Sequence, residues 1–247
     1  MQNISIKILV FVLGLTSCKT QYAPNSMGLV IQKVRTYDSS TNSFILPKYF
    51  KDFKIWYKDS LVIEEANHLT ISTDAFQNET WEFILDKYIF IDLRNMSFYE
   101  YNSFSDTATL LRQYTQDDSV HIDGGWNFYS YTPLVPDYNP ETLTDTTMYG
   151  VTYNRFKRSR TILNDDCKKI SVFIGYLRCD KKGSIFQFDK AFGEKMGCPL
   201  VMYEAKIIPD ITWIKNELEF VADKLSPEEL KVFATWEKFA RKNQVTK

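Results

Sequence analysis

The sequence predicts an α+β protein, in which a curved antiparallel sheet or half-barrel is followed by a C-terminal helical hairpin. Apolar and polar residues alternate with a period of two over most of the chain, in short runs rich in aromatic and β-branched residues. The period changes to steps of three and four over the last forty residues. Ser226-Pro227-Glu228-Glu229 then combines a Ser cap, a Pro at the first helical position and a Glu three residues beyond the cap.

Residues 1–17 are predicted to be a secretory leader. An apolar run from Ile8 to Leu15 follows the single basic residue Lys7 and ends at small residues before Cys18. The run is too short for a spanning helix, which needs about 20 apolar residues. Leu15-Thr16-Ser17-Cys18 resembles the lipobox of bacterial lipoproteins. The resemblance implies cleavage before Cys18 and attachment of diacylglycerol and a further acyl chain such as palmitate to Cys18, whereas ordinary secretion is the alternative.

Residues 18–28 are expected to form a lipidated tether.

The net charge of the cleaved chain indicates which partners are expected. Removal of Lys7 leaves 29 Lys and Arg against 31 Asp and Glu, a formal charge of −2. A chain so close to neutral has no basic stripe for phosphates, so nucleic acid is not expected as a partner. Lys19 follows Cys18 and no acidic run comes after it, which favours the outer membrane with the domain facing the periplasm.

Residues 29–209 are predicted to form the β domain. The clearest pattern is an antiparallel meander of three short strands, separated by two-residue polar turns at Asp86-Lys87 and Arg94-Asn95. A short helix is expected to begin at Ser105-Asp106 and to run through Tyr114. The other predicted strands are 30–35, 53–57, 61–63, 126–131, 146–157, 170–178, 184–188 and 200–208, with a proline-rich loop at 133–140.

Residues 210–247 are predicted to form a helical hairpin packed on the sheet. The first helix is indicated by apolar residues at steps of three and four: Ile211, Ile214, Leu218, Val221 and Leu225. The second begins at the Ser226 cap and continues the apolar stripe. The stripes are expected to cover a sheet face, and a docking surface for another protein is the alternative.

The leader, the lipobox and an aromatic-rich antiparallel sheet together resemble uncharacterised lipoproteins of the Bacteroidetes type. Strands such as 59–64 and 145–153 carry this resemblance. More loosely, the chain is similar to the curved-sheet carriers of the LolA and LppX kind. That similarity implies an apolar hollow for acyl chains, with Trp56, Trp81, Phe83 and Trp126 as candidate ligand-binding residues, although the C-terminal helices depart from the carrier pattern.

Three cysteines follow Cys18: Cys167, Cys179 and Cys198. Cys167 and Cys179 bracket a predicted strand, which would hold them too far apart for a disulfide. Any disulfide is therefore expected between Cys179 and Cys198. The spacing lacks the close Cys-x-x-Cys pairs of zinc sites, so no metal site is predicted.

No motif for catalysis or for a cofactor is present in the sequence. The predicted function is that of a lipid-anchored envelope lipoprotein of non-enzymatic type, which binds an apolar ligand or a partner protein and contacts the membrane through the lipid on Cys18. The alternative is an envelope hydrolase with a polar site near His121 and Asp123, since residues 119, 121 and 123 would share one strand face. Catalytic residues, cofactors and metals are not assigned.

Overall fold

The structure is a computed structural model of the whole chain, and it describes residues 26–47, 50–74, 77–115, 140–164, 167–182, 184–208 and 212–243. These residues form one antiparallel sheet of twelve strands and two α-helices. The strands are β1 Met27–Asp38, β2 Ser43–Ile45, β3 Phe53–Lys58, β4 Leu61–Thr73, β5 Glu79–Asp92, β6 Ser97–Tyr101, β7 Leu110–Thr115, β8 Glu141–Met148, β9 Val151–Asn164, β10 Cys167–Leu177, β11 Leu200–Ile208 and β12 Thr212–Ala222. The helices are α1 Lys190–Met196 and α2 Pro227–Lys242.

The order of the strands places the first and last strands, β1 and β12, side by side at the middle of the sheet. The order is β7-β6-β5-β4-β3-β1-β12-β11-β10-β9-β8, and β2 pairs with the end of β1. β7 and β8 therefore lie at opposite edges, and the sheet is not closed between them. The α+β class with an open antiparallel sheet, predicted from the sequence, is confirmed.

The largest apolar cluster joins the N-terminal and C-terminal halves of the sheet. It contains Val62, Ile89 and Phe98 from the first half and Met202 and Leu218 from the second, all at most 3 % exposed. Sequential hairpins account for most strand pairs, but β1 pairs with β12 across nearly the whole chain. The fold therefore depends on one long-range pairing at its centre.

The second cluster lies between α2 and one face of the sheet. Phe233 and Trp236 of α2 pack on Phe90 and Tyr99, and all four side chains are at most 1 % exposed. Trp236 also stacks on Tyr101, with ring centroids 4.0 Å apart. We call this side of the sheet the α2 face. By strand alternation it carries Trp56, Ile63, Phe90 and Tyr99.

The helix predicted in the second half of residues 210–247 is present, with its capping box. Ser226 Oγ accepts a hydrogen bond from the Glu229 N–H, and Glu229 Oε2 accepts one from the Ser226 N–H. Pro227 occupies the start of the helix. The hairpin itself is wrong, because the segment predicted as its first helix contains β12, which pairs with β1 on one side and β11 on the other.

Three local predictions within the β domain are also wrong. The residues predicted as a helix at 105–114 form a turn followed by β7. The residues predicted as a turn at Asp86-Lys87 lie within β5, where Asp86 is the extra residue of a β-bulge opposite Ala66 and Asn67. Residues 184–188 contain no strand among those the structure describes, whereas the turn at Arg94-Asn95 is confirmed.

The connection between β10 and β11 folds back against the sheet and carries a disulfide. Cys179 and Cys198 are joined, with their Cα atoms 4.5 Å apart. Asp189 caps α1 by accepting a hydrogen bond from the Phe192 N–H. Phe192 then packs on Phe156, with ring centroids 4.5 Å apart. The disulfide expected from the sequence is therefore present, and it closes the segment that carries α1.

Candidate functional site

The hairpin of β4 and β5 extends beyond both neighbouring strands. β3 pairs with β4 only from Leu61 to Glu64, and β6 pairs with β5 only from Tyr88 to Asp92. Residues 66–74 and 77–86 therefore pair only with each other, starting at the bulge that leaves Asp86 unpaired. We call these residues the acidic arm. Its two outer backbone edges are open in the described structure, and edges of this kind can pair with another chain.

One face of the acidic arm is apolar. Leu69 pairs with Phe83, and Ile71 pairs with the position of Trp81. Leu85 follows on the same face, opposite Asn67. Ile71 is 50 % exposed and Leu85 39 % exposed, although both are large aliphatic side chains. We call this surface, made of Leu69, Ile71, Phe83 and Leu85, the arm face.

The charge of the arm has a single sign. Asp74, Glu79, Glu82 and Asp86 lie within it, and it contains no Lys or Arg. Glu79 and Glu82 are exposed. The Nδ1 atom of His68 lies 3.8 Å from Asp86, and both side chains are about half exposed. An apolar stripe bordered by carboxylates is suited to a partner whose apolar surface is bordered by basic groups.

The candidate ligand-binding residues from the sequence divide between two environments. Trp56 is 6 % exposed, donates a hydrogen bond from Nε1 to Glu229 Oε1 (2.7 Å) and stacks on Phe104. Phe83 lies on the arm face, where Trp81 occupies the neighbouring register position, while Trp126 lies outside the described residues. Trp56 therefore packs beneath α2, whereas Phe83 remains half-buried on the arm.

The two environments share the α2 face and are joined by aromatic contacts. Tyr88 is the residue of β5 nearest to the arm on this face, and it contacts both Trp56 and Phe104. Burial raises the pKa of Tyr88 above its ordinary value, and the charge of Glu65 adds to that rise. The arm face is thus a continuation of the packed cluster under α2 onto a part of the sheet that α2 does not reach.

A buried carboxylate, Glu100, lies on the opposite face of the sheet. Glu100 is 7 % exposed and forms an ion pair of 2.9 Å with Lys87. Burial raises the pKa of Tyr114 above its ordinary range, and the charge of Glu100 and a hydrogen bond to it raise it further. Glu100 of β6 therefore has a partner in β5, Lys87, and another in β7, Tyr114, and these contacts join the three strands.

The residues of the alternative polar site, His121 and Asp123, lie outside the described residues, and so does Cys18. Within the described ranges, no cluster of three His, Cys, Asp or Glu side chains is placed to hold a metal ion. Among the same residues, no helix has the length and apolar character needed to cross a bilayer.

Sequence analysis missed the acidic arm because it divided β5 in two at Asp86-Lys87. Placing a turn there removed the long hairpin in which Leu69 meets Phe83. The signal that could have revealed it is the absence of Lys and Arg from residues 66–86, together with alternation on both strands.

Comparisons with protein-family models, with curated protein sequences and with solved structures find no match to this chain.

Proposed function

We propose that this chain is a lipid-anchored envelope lipoprotein without catalytic activity, which binds a partner protein through the arm face. The observation that carries the proposal is the arm face on a projecting two-stranded arm, where Ile71 and Leu85 are exposed and Leu69 and Phe83 are half-buried. A contiguous apolar patch on a protein surface is typical of an interaction site. A two-stranded ribbon is also only marginally stable by itself in water, so packing by a partner stabilises it.

Export from the cytoplasm is supported by two independent features. The lipobox ends at Cys18, and the Cys179–Cys198 disulfide is of the kind that persists in oxidising compartments. Two or more acyl chains on Cys18 would give stable anchoring, whereas one chain binds only marginally. The absence of an acidic run after Lys19 favours the periplasmic side of the outer membrane.

The position of the arm suits a protein that is held at its N-terminus. Met27 starts β1 beside Lys58, and Ser26 accepts a hydrogen bond from the Asp59 N–H at the turn between β3 and β4. From that turn β4 runs for 13 residues toward the tip of the arm. At about 3.3 Å per residue this is about 40 Å. The arm is therefore at the end of the sheet farthest from the start of the described chain.

A protein partner fits the arm better than a small apolar ligand does. Small-molecule sites are concave and bury most of the ligand surface. The arm face lies on a two-stranded ribbon, and Trp56, which was expected to line a hollow, is packed against Phe104 and Glu229. The flat exposed stripe offers area and open strand edges, which are the features that a protein surface uses.

Anchoring is tested by the variant Cys18→Ala. We expect it to lose incorporation of labelled palmitate and to leave the membrane fraction or remain uncleaved, while the unaltered chain is labelled. Continued labelling of the variant would contradict lipid attachment at Cys18.

Binding is tested by photo-crosslinking in intact cells from a benzophenone amino acid placed at Ile71. The control places the same probe at Tyr149, which is 98 % exposed at the opposite end of the sheet. We expect a discrete protein crosslink from position 71 and none from position 149. No crosslink from position 71, with normal amounts of protein, would contradict the proposed function.

A further inference from the structure

We infer that the partner of the arm face is a second copy of this chain, joined end to end through a two-fold axis; this inference rests on the proposed function. The observation behind it is a second projecting hairpin, made of β9 and β10. It lies at the same end of the sheet as the acidic arm. β8 pairs with β9 only as far as Lys157, and β11 pairs with β10 only as far as Ile170. We call residues 157–164 and 167–170 the basic arm.

The two arms have opposite charge. The basic arm contains five Lys and Arg, namely Lys157, Arg158, Arg160, Lys168 and Lys169, and no Asp or Glu. Asp165 and Asp166 in the connection reduce the sum to +3, against −4 for the four acids of the acidic arm. Arg160 and Glu82 are exposed. Opposite charge on two projecting surfaces favours their association and disfavours contact between like arms.

Exposed apolar side chains also lie at the basic arm and beside it. Following the register from β3 through β1, β12 and β11 to β10 places Ile208 and Ile170 on the α2 face, the same side as the arm face. Ile208 is 41 % exposed and Ile170 37 % exposed. Ile170 of the basic arm and Ile208 beside it in β11 therefore add exposed apolar surface on the same side of the sheet as the arm face.

Within one chain, four strands separate the two arms. β3, β1, β12 and β11 lie between β4 and β10, which makes five strand spacings. At about 4.8 Å each, the arms are about 24 Å apart along the sheet. In a two-fold dimer, a contact between the acidic arm of one copy and the basic arm of the other occurs twice. Because both arms lie at one end, a single end-to-end arrangement satisfies both contacts.

The test is reciprocal charge reversal in the mature, lipidated chain, with its mass in detergent measured by sedimentation equilibrium. One variant carries Glu79→Lys and Glu82→Lys, and the other carries Lys157→Glu and Arg160→Glu. The unaltered chain should be a dimer that dissociates as salt is raised, because exposed charges are screened. Each variant alone should be monomeric, because the substitutions change the charge of one arm by four units. The acidic arm is left without net charge in the first variant, and the basic arm becomes negative in the second. An equimolar mixture of the two should form dimers again.

Recovery in the mixture also shows that both variants are folded. A monomeric unaltered chain, dimers of either variant alone, or a mixture that stays monomeric would overturn the inference.

The crosslink from Ile71 separates this inference from the proposed function. A product with twice the mass of the chain supports self-association. A product that joins one copy to a different protein overturns the inference and leaves the proposed function standing. The absence of any product contradicts the proposed function itself.

Discussion

Glu229 joins the last helix to the sheet through two different hydrogen bonds. Its Oε2 atom accepts from the Ser226 N–H in the capping box, and its Oε1 atom accepts from Trp56 Nε1 in β3. Loss of a helix cap costs about 1 kcal/mol, and loss of a hydrogen bond to a buried indole costs about as much again. We expect Glu229→Ala to lower the free energy of unfolding by about 2 kcal/mol, measured by urea unfolding.

The matched control is Glu228→Ala, one residue earlier in the same first turn and exposed. It should change the free energy of unfolding by less than about 0.5 kcal/mol, as is usual for surface substitutions. Equal effects of the two substitutions would show that neither bond of Glu229 contributes measurably.

Glu237 gives the stability of the protein a dependence on acid pH. Burial alone would raise its pKa, but hydrogen bonds from Arg241 and Arg94 outweigh burial and hold the pKa below the ordinary value of 4.5. A carboxyl group whose pKa is lowered by folding stabilises the native state above its unfolded pKa. That stabilisation is lost as the pH falls through the lowered pKa. We therefore expect Glu237→Gln to reduce stability at pH 7 and to flatten its decline below about pH 4.5.

Urea unfolding at pH 7 and at pH 3 measures this difference, and Glu194→Gln on the exposed side of α1 is the control. A decline in the Glu237 variant as steep as in the unaltered chain would assign the acid sensitivity to other groups.

At the scale of elements, β12 shows why a helix was predicted where a strand is found. Ile214, Leu218 and Val221 fit a helical stripe. Ile214, Leu218 and Phe220 also fall at even positions, which alternate with the charged residues at 215, 217 and 219. Leu218 belongs to both patterns, so spacing alone does not decide between them. The segment forms a strand because it pairs with β1, although the two strands are almost 200 positions apart in the sequence. Such a long-range partner leaves no local signal.

Leu218 is expected to be among the positions where truncation is most damaging. It is 3 % exposed in β12, between β1 and β11. Truncation of a buried leucine to alanine typically lowers the free energy of unfolding by about 2–5 kcal/mol. Leu218→Ala should therefore shift the urea midpoint strongly, whereas Val221→Ala, at a bulged position that is 50 % exposed, should shift it little. A shift no larger than that of Val221→Ala would place Leu218 outside the core.

Sequence patterns predicted one tight turn and one helix cap better than they predicted the acidic arm. The Arg94-Asn95 turn and the capping box of Ser226 and Glu229 depend on neighbours in the sequence, so their residue types are informative. Phe83 was chosen for its aromatic ring, which indicates apolar contact but not exposure. That Phe83 faces Leu69 on a projecting arm follows from where β3 and β6 end. Where a neighbouring strand ends depends on the tertiary structure, so it cannot be predicted from the sequence of one segment.

At the scale of the whole molecule, the packed clusters and the projecting arms lie toward opposite ends of the sheet. The end near Met27 is held by the disulfide segment and by α2, which together cover large parts of both faces. The opposite end carries the acidic arm and the basic arm, whose backbone edges extend past their neighbours. We therefore expect the packed end to contribute more to stability than the end that carries the arms.

This separation predicts that the acidic arm can be removed without unfolding the protein. Ala66 and Lys87 are direct partners across β4 and β5, so Asn-Gly in place of residues 67–86 would close the hairpin with a two-residue turn. Because the described apolar side chains of residues 67–86 are exposed or only half-buried, we expect the shortened chain to unfold in urea within about 1 kcal/mol of the unaltered chain. It should also lose the crosslink and the dimer. A shortened chain that fails to fold would show instead that the arm is part of the core, and that its apolar face serves folding rather than binding.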